Sequence, residues 1–121
     1  MKNMAFSITT KQMYAGTKDV TRRLGWLGIR PGVRVMAVEK GIGLKVGEKV
    51  KQIGEIKIVS ARLEPLNHIS VADVVREGFP ELSIREFIIM FCKSHKCEPD
   101  QLVTRIEFER LYPVGDTPIS L

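Results

Sequence analysis

The stretch Gly16-Thr17-Lys18-Asp19-Val20-Thr21-Arg22-Arg23 places a turn residue, a lysine, a threonine hydroxyl and two arginines within eight positions. Gly16 predicts the end of the preceding segment, because glycine readily adopts the positive φ that closes a helix. The β-branched residues after the turn favour an extended chain. Since side chains alternate along a strand, we expect Thr21 and Arg23 on one face and Arg22 on the other.

This basic stretch allows two interpretations. A lysine-containing turn beside a strand that carries threonine and arginine can bind a phosphate, a carboxylate or a polarised carbonyl. Alternatively, Lys18, Arg22 and Arg23 are solvated surface cations, as charged residues near turns usually are. The segment taken alone leaves both interpretations open.

A family resemblance favours the first interpretation. Gly16, Lys18, Thr21 and Arg23 reproduce the signature G-x-K-x-x-T-x-R, and through it the chain resembles the ASCH domains. These domains have a PUA-like β-barrel fold and are associated with RNA and modified nucleosides. The resemblance covers about residues 4–111 and continues through three further segments: Arg30-Pro31-Gly32-Val33, Ala72-Asp73-Val74-Val75-Arg76-Glu77-Gly78-Phe79 and Arg105-Ile106-Glu107-Phe108.

The predicted fold class is α+β. The length of 121 residues suits one domain with a core of its own. Hydrophobic alternation predicts strands over 4–8, 33–39, 52–62 and 102–109, the third with Gly54 as a bulge. Capping residues predict helices after Thr9 or Thr10, after Ser70 and after Ser83. The resemblance implies a small PUA-like β-barrel with two or three flanking helices, as a single domain over 1–112 with a loosely ordered tail over 113–121.

Charge favours a polyanionic partner in the first half of the chain. The formal net charge is +5, and residues 1–60 hold twelve basic against four acidic residues. Nucleic acid is therefore expected there, with Arg34, Lys40 and Lys45 as contacts. The glycine-rich segment 40–49 lacks the G-x-x-x-x-G-K-[ST] pattern of a phosphate loop, so we interpret it as a hairpin or rim loop.

Other classes of protein are disfavoured. Cys92, His95 and Cys97 form a C-x-x-H-x-C run, but a structural zinc site needs four ligands and the remaining histidine, His68, is distant in sequence. We expect no metal and no cofactor. No apolar run approaches the roughly 20 residues that cross a bilayer, and the first residues lack a signal-peptide segment. We expect a cytoplasmic protein with no membrane partner.

The resemblance also implies an activity. Some small bacterial ASCH proteins are N(4)-acetylcytidine amidohydrolases, and their catalytic residues correspond by position to Lys18, Thr21 and Glu77. Thr21 would attack the amide carbonyl, Lys18 would accept its proton, and Glu77 would orient the lysine. The alternative is a structural Lys18–Glu77 ion pair with Thr21 hydrogen-bonded within a strand. The remaining predicted substrate-binding residues are Gly16, Arg22, Arg23 and Trp26.

Two further hypotheses remain at this stage. A non-catalytic RNA-binding module would use a basic groove, with affinity that falls steeply as salt rises. A ribonuclease is a third option, although no histidine pair suggests one. Trp26 either stacks on a base or fills the core.

Overall fold

The computed structural model describes residues 1–41 and 46–114. This part of the chain contains five strands and three helices, and a short 3-10 turn at Leu66–His68 follows the fourth strand. In chain order they are β1 (Asn3–Ala5), α1 (Thr10–Ala15), β2 (Val20–Arg23), β3 (Arg34–Val38), β4 (Gln52–Pro65), α2 (Val71–Arg76), α3 (Ile84–His95) and β5 (Leu102–Arg110). The predicted α+β class is confirmed.

The strands form one mixed sheet in the order β1-β3-β4-β5-β2. Only β1 and β3 are parallel, whereas the other three pairs are antiparallel. The prediction of a closed barrel is wrong for the described residues. Closure requires the two edge strands to hydrogen-bond to each other, and here the three-residue β1 pairs only with β3 and the four-residue β2 only with β5.

The first strand is shorter than the predicted segment 4–8. Met4 and Phe6 are buried as the alternation predicts, but Ile8 is exposed. The chain turns after Phe6, whose carbonyl accepts hydrogen bonds from the Thr9 backbone N–H at 3.2 Å and from the Thr10 hydroxyl at 2.7 Å. This local turn ends the strand before its pattern does.

Two of the three helix starts follow their predicted capping residues, whereas the predicted cap of α1 is wrong: Thr9 makes no side-chain capping hydrogen bond, and the Thr10 hydroxyl donates to the Phe6 carbonyl instead. The Ser70 side chain accepts a hydrogen bond from the Asp73 N–H, and Ser83 and Glu86 form a complete capping box. Phe87 and Phe91 on α3 are buried as the helical spacing predicts. Local chemistry therefore sets these helix starts.

The buried side chains form two clusters. One packs on the sheet and contains Met4, Phe6, Met13, Val35, Ala37, Ile56, Ile58, Ile106 and Phe108. The other joins the helical side to the end of β5 and contains Leu66, Ile69, Val74, Phe87, Phe91 and Val103. None of the described helices is both long enough and apolar enough to cross a membrane.

The register of β3 on β4 contains the irregularity predicted near Gly54. Ala37 pairs with Gly54 and Val38 with Gln52, so Ile53 is an extra residue on β4. A Cβ atom built at Gly54 would clash with the Tyr112 ring, so glycine permits the close approach of that ring.

Candidate functional site

Lys18 lies in the turn between α1 and β2, which several backbone contacts hold in place. Gly16 ends α1 in the left-handed conformation with φ 76°, as predicted. The Asp19 N–H donates to the Arg76 carbonyl at 3.0 Å, and Arg110 Nη1 donates to the Lys18 carbonyl at 2.6 Å. The turn is therefore hydrogen-bonded both to the end of α2 and to β5. Its Lys18 side chain is buried, with only 2% of it exposed.

The Lys18 side-chain nitrogen donates hydrogen bonds to two oxygens of Glu77. Its Nζ lies 2.7 Å from Glu77 Oε1 and 2.9 Å from the Glu77 carbonyl oxygen. Glu77 is the residue directly after α2, and Gly78 beyond it has φ 102°. The positive φ of Gly78 marks the end of this helix, and that end places Glu77 next to Lys18.

Arg22 extends this pair into a larger buried network. Its guanidinium contacts three carboxylates: Glu77 at 3.1 Å, Glu64 at 2.8 Å and Asp73 at 2.6 Å. Arg105 binds the same Asp73 through two hydrogen bonds of 2.6 and 3.1 Å. The carboxylates of two elements, β4 and α2, thus hold the cations of two neighbouring strands, β2 and β5.

This environment shifts the pKa values of several of its groups. Burial lowers the pKa of Lys18, and the nearby Arg23 and Arg22 cations lower it further, whereas Glu77 opposes the shift. Burial lowers the pKa of Arg23 to about 10. Hydrogen bonds from Arg105, and then from Arg22, hold the pKa of the Asp73 carboxyl far below its usual range.

Thr21 and Arg23 lie together, as predicted from strand alternation. Arg23 Nε donates to Thr21 Oγ1 at 3.1 Å. The Arg23 guanidinium also lies over the Phe6 ring, 4.5 Å from its centroid. Thr21 is only 3% exposed, so the Arg23 hydrogen bond holds its hydroxyl in a confined position.

These side chains meet at a pocket with a volume of about 80 Å³. Its polar lining includes Lys18, Thr21, Arg22, Arg23 and Glu77. Its apolar lining includes Phe6, Phe79, Phe87 and Phe91, and His95 contributes a further polar group. The structure therefore brings together all three predicted catalytic residues and two of the predicted substrate-binding arginines.

The other predicted binding residues lie elsewhere. Gly16 packs against Val114, and its role is to end α1. Trp26 is half-buried and packs on the sheet cluster, so it partly fills the core, and it lines a second cavity together with Arg34. Lys40 lines a third cavity and lies 3.8 Å from Glu48. Lys45 falls outside the described residues.

Several charged residues of the site were missed by sequence reasoning. Asp73, Glu64 and Arg105 are not among the site residues that the sequence predicts. Arg105 faces Arg22 in the β2–β5 register, which no local pattern reveals. Asp19, which follows Lys18 in the sequence, pairs with Arg76 at 3.0 Å.

The C-x-x-H-x-C run has local contacts. His95 stacks on Phe91 with ring centroids 4.0 Å apart, and its Nδ1 lies 3.1 Å from the Phe91 carbonyl oxygen. Cys92 and Cys97 are free thiols with their sulfurs 3.9 Å apart. Within 1–41 and 46–114, no group of three or more His, Cys, Asp or Glu side chains is arranged to hold a metal ion.

Comparison with known proteins identifies the fold. No protein-family model matches the sequence, and no curated protein matches it. Solved structures do match. An ASCH domain from Lactobacillus crispatus JV V101 superposes with a TM-score of 0.56 at 18% identity, over 93% of this chain and 81% of that chain. This likeness shows that the chain has an ASCH-like fold.

Two further solved structures share this architecture. Hypothetical protein PH0355 superposes with a TM-score of 0.64 at 19% identity, over 92% of this chain and 100% of that one. Protein EF3133 from Enterococcus faecalis V583, described by the family model DUF984, gives 0.60 at 14% identity, over 87% and 71% of the respective chains. At such identities these likenesses concern the fold alone.

Proposed function

We propose that this protein hydrolyses the amide bond of an N-acylated cytidine-type nucleoside, with Thr21 as nucleophile, Lys18 as base and Glu77 as the residue that orients the lysine. One observation carries the proposal: these three side chains, from a turn, a strand and a helix end, line one pocket and are each at most 3% exposed. The resemblance of the signature to that of the amidohydrolases supplies the substrate class.

The hydrogen bonds of Lys18 suit a proton acceptor. A charged ammonium has three N–H donors, whereas a neutral amine has two and a lone pair. Glu77 offers Lys18 two acceptors, at 2.7 and 2.9 Å. A neutral Lys18 would satisfy both of them and keep its lone pair for a proton, and the downward shift of its pKa favours that state.

The proposed reaction has two stages. Thr21 Oγ attacks the acyl carbonyl carbon while its proton passes to Lys18, and the collapsing intermediate expels the exocyclic nitrogen, which takes that proton. The products of this stage are the free amine on the base and an acyl ester on Thr21. Water then attacks the ester, its proton passes through Lys18 back to Thr21 Oγ, and the carboxylic acid leaves.

The arginines can stabilise the negative charge that develops on the acyl oxygen. Arg23 already donates to Thr21 Oγ1. Arg22 also lines the pocket, and its buried Nε has no hydrogen-bond acceptor within the described part of the chain. An oxygen of the substrate would give this donor the partner that a buried polar group requires.

The test is incubation with N(4)-acetylcytidine, followed by chromatographic measurement of cytidine release. We expect Lys18→Met, Thr21→Val and Glu77→Gln each to lower kcat about 100-fold or more, the usual contribution of general-base and nucleophile chemistry. Lys57→Met is the matched control for an exposed lysine. Thr104→Val is the control for a buried threonine, because Thr104 donates to the Gly25 carbonyl at 2.6 Å.

Folding of each variant is checked by circular dichroism at the assay temperature. Release by the wild type, with loss only in the three pocket variants, supports the proposal. No release by folded wild-type protein overturns it, and the non-catalytic RNA-binding alternative would then lead. That alternative predicts that the logarithm of the RNA-binding constant falls linearly with log[salt].

A further inference from the structure

A second cavity, separate from the catalytic pocket, lies beside the start of β1 and the loop between β2 and β3. Its volume is about 610 Å³, within the usual range for small-ligand sites. Its apolar lining includes Trp26 and Leu27, and its cationic lining consists of Lys2, Arg30 and Arg34. The side chain of Leu27 is 73% exposed, so the apolar surface is open to a partner.

The cations of this cavity are incompletely neutralised. Arg34 pairs with Glu55 at 3.1 Å. Lys2 and Arg30 form no ion pair with a carboxylate of residues 1–41 or 46–114, and no acidic side chain lines the cavity there. Three cations against one carboxylate leave an excess of positive charge at a surface that is otherwise apolar. The cavity therefore complements an anion that carries a flat or apolar group.

Trp26 is held in an unusual backbone conformation. Its φ is 54°, which is rare for a bulky residue and is maintained only where the surroundings impose it. The ring packs partly on the sheet cluster, and the Lys2 ammonium lies 5.1 Å from its centroid. The position of this ammonium shows that one face of the Trp26 ring is accessible to a cation. A base could stack on the same face in place of the ammonium.

We propose that this cavity binds one nucleotide of single-stranded RNA, with the base stacked on Trp26 and the phosphate held by Arg30 and Arg34. The base would displace the Lys2 ammonium, which remains close enough to contribute to the phosphate contacts. Guanidinium groups match phosphate oxygens in a bidentate geometry. An acidic peptide would supply charge without the stacking group, so the half-buried indole that lines the cavity favours RNA.

The position of the cavity relative to the catalytic pocket suits a strand that crosses both. Lys2 lines the cavity just before β1, whereas Ala5 and Phe6 line the pocket at its other end. At about 3.3 Å per residue, this separation is about 13 Å from Lys2 to Phe6. The joining of the two sites rests on the proposed hydrolysis, whereas RNA binding in the cavity does not.

The chain contains one tryptophan, so its fluorescence reports on this cavity directly. The full chain is titrated with the single-stranded hexanucleotide of uridylate, and we expect quenching of Trp26. Arg30→Ala should weaken binding about 5-fold or more and make the salt dependence shallower by about 0.7 in log–log slope. Arg85→Ala removes an exposed arginine on α3 and should leave both quantities unchanged.

RNA binding by the variants that lack the tryptophan is measured with labelled RNA. By anisotropy, Trp26→Ala should bind about 10-fold more weakly, whereas Trp26→Phe, which keeps an aromatic face, should lose less. The proposal is overturned by the absence of quenching, by equal weakening in Arg30→Ala and Arg85→Ala, or by equal affinity for hexaglutamate. Equal affinity for free uridine monophosphate would overturn the assignment to a strand.

The two proposals fail in distinguishable ways. Arg30→Ala should leave the hydrolysis of free N(4)-acetylcytidine unchanged, because Arg30 does not line the catalytic pocket. Quenching without any hydrolysis would support this inference and overturn the proposed function. Hydrolysis without quenching would support the proposed function and overturn this inference.

Discussion

At the scale of single residues, Glu77 is the member of the Lys18–Glu77 pair that has more partners. Its carboxylate binds Lys18 through Oε1 and Arg22 through Oε2. Removing Lys18 leaves Glu77 with Arg22, whereas neutralising Glu77 deprives both Lys18 and the buried Arg22 guanidinium of that carboxylate. The two sides of the pair are therefore unequal in their contribution to stability.

We accordingly expect Glu77→Gln to lower the free energy of unfolding by about 3–5 kcal/mol, the usual cost of breaking a buried ion pair from one side. Lys18→Met should cost about 1–2 kcal/mol less, because Glu77 keeps a partner. Urea denaturation monitored by circular dichroism measures both. The exposed control Lys57→Met should change stability by less than about 0.5 kcal/mol, and a larger loss for Lys18→Met than for Glu77→Gln would contradict the argument.

The Asp73 carboxyl should give the fold a marked sensitivity to acid. Its pKa lies below the unfolded value of about 4 because of Arg105 and Arg22. As pH falls through the interval below about 5, the unfolded chain binds a proton before the folded one does, so the free energy of unfolding decreases. The stabilisation is fully present above that interval.

Asp73→Asn should therefore flatten the dependence of stability on pH between about 5 and 3, although the variant is less stable at neutral pH. Urea midpoints at successive pH values measure the slope. Asp100→Asn, in the exposed turn before β5, is the control and should keep the wild-type slope. An unchanged slope in Asp73→Asn would refute the assignment.

At the scale of elements, the end of α2 depends on its contact with α1. Gly78 has φ 102°, and a Cβ there would lie 2.8 Å from Gln12 Cγ. Gln12 Nε2 in turn donates to the Gly78 carbonyl at 3.2 Å. This contact sets the position of the helix end that carries Glu77.

We expect Gly78→Ala to destabilise the protein more than Gly28→Ala. Both glycines have positive φ, at 102° and 79°, so alanine is strained at either, by about 1–2 kcal/mol. Gly28 has no atom within 4 Å of a built Cβ, so only Gly78 adds a contact with Gln12. Thermal unfolding measures the difference. The addition of Gln12→Ala should recover part of the loss in Gly78→Ala, and no recovery would show that the contact is unimportant.

The capping residues show how far sequence reasoning reaches at this scale. Ser70 and Ser83 predict their helices correctly because a cap involves residues three apart in sequence. The predicted strand 4–8 is too long because the Phe6 carbonyl accepts two hydrogen bonds from the following turn. Alternation of apolar residues indicates a buried face but does not indicate where a turn ends the strand.

At the scale of the whole molecule, the sheet should be most stable at its centre. The β4–β5 pairing runs from Ile56 with Arg110 to Pro65 with Leu102, whereas β1 pairs over three residues with β3 alone. Amide hydrogens in a long central ladder exchange mainly through global unfolding, and those at a short edge exchange through local opening.

Hydrogen exchange with peptide mass spectrometry should therefore find the slowest amides in the paired parts of β4 and β5 and faster exchange in β1. Glu77→Gln should accelerate the central strands by the factor that corresponds to its loss of global stability. Equal protection of β1 and β5 would show that the edge opens only with the whole sheet.

The fold class and the members of the site differ in how far sequence predicts them. The α+β class and the helix starts follow from local patterns, and the G-x-K-x-x-T-x-R signature resembles that of the fold family which the solved structures support. The closed barrel was wrong because closure depends on a contact between distant edge strands. That Lys18, Thr21 and Glu77 act in catalysis stays a prediction, although they share a pocket.

Features with local causes follow from the sequence alone: the helix caps at Ser70 and Ser83, the glycine that ends α1, and the buried face of α3. The open sheet, and the network in which Arg22 binds Asp73, 51 residues away, depend on tertiary packing. The two groups of features differ in the range of the interactions that produce them. A cap is satisfied within one helical turn, whereas a buried charge selects its partner from whichever strands and helices packing brings within 3 Å.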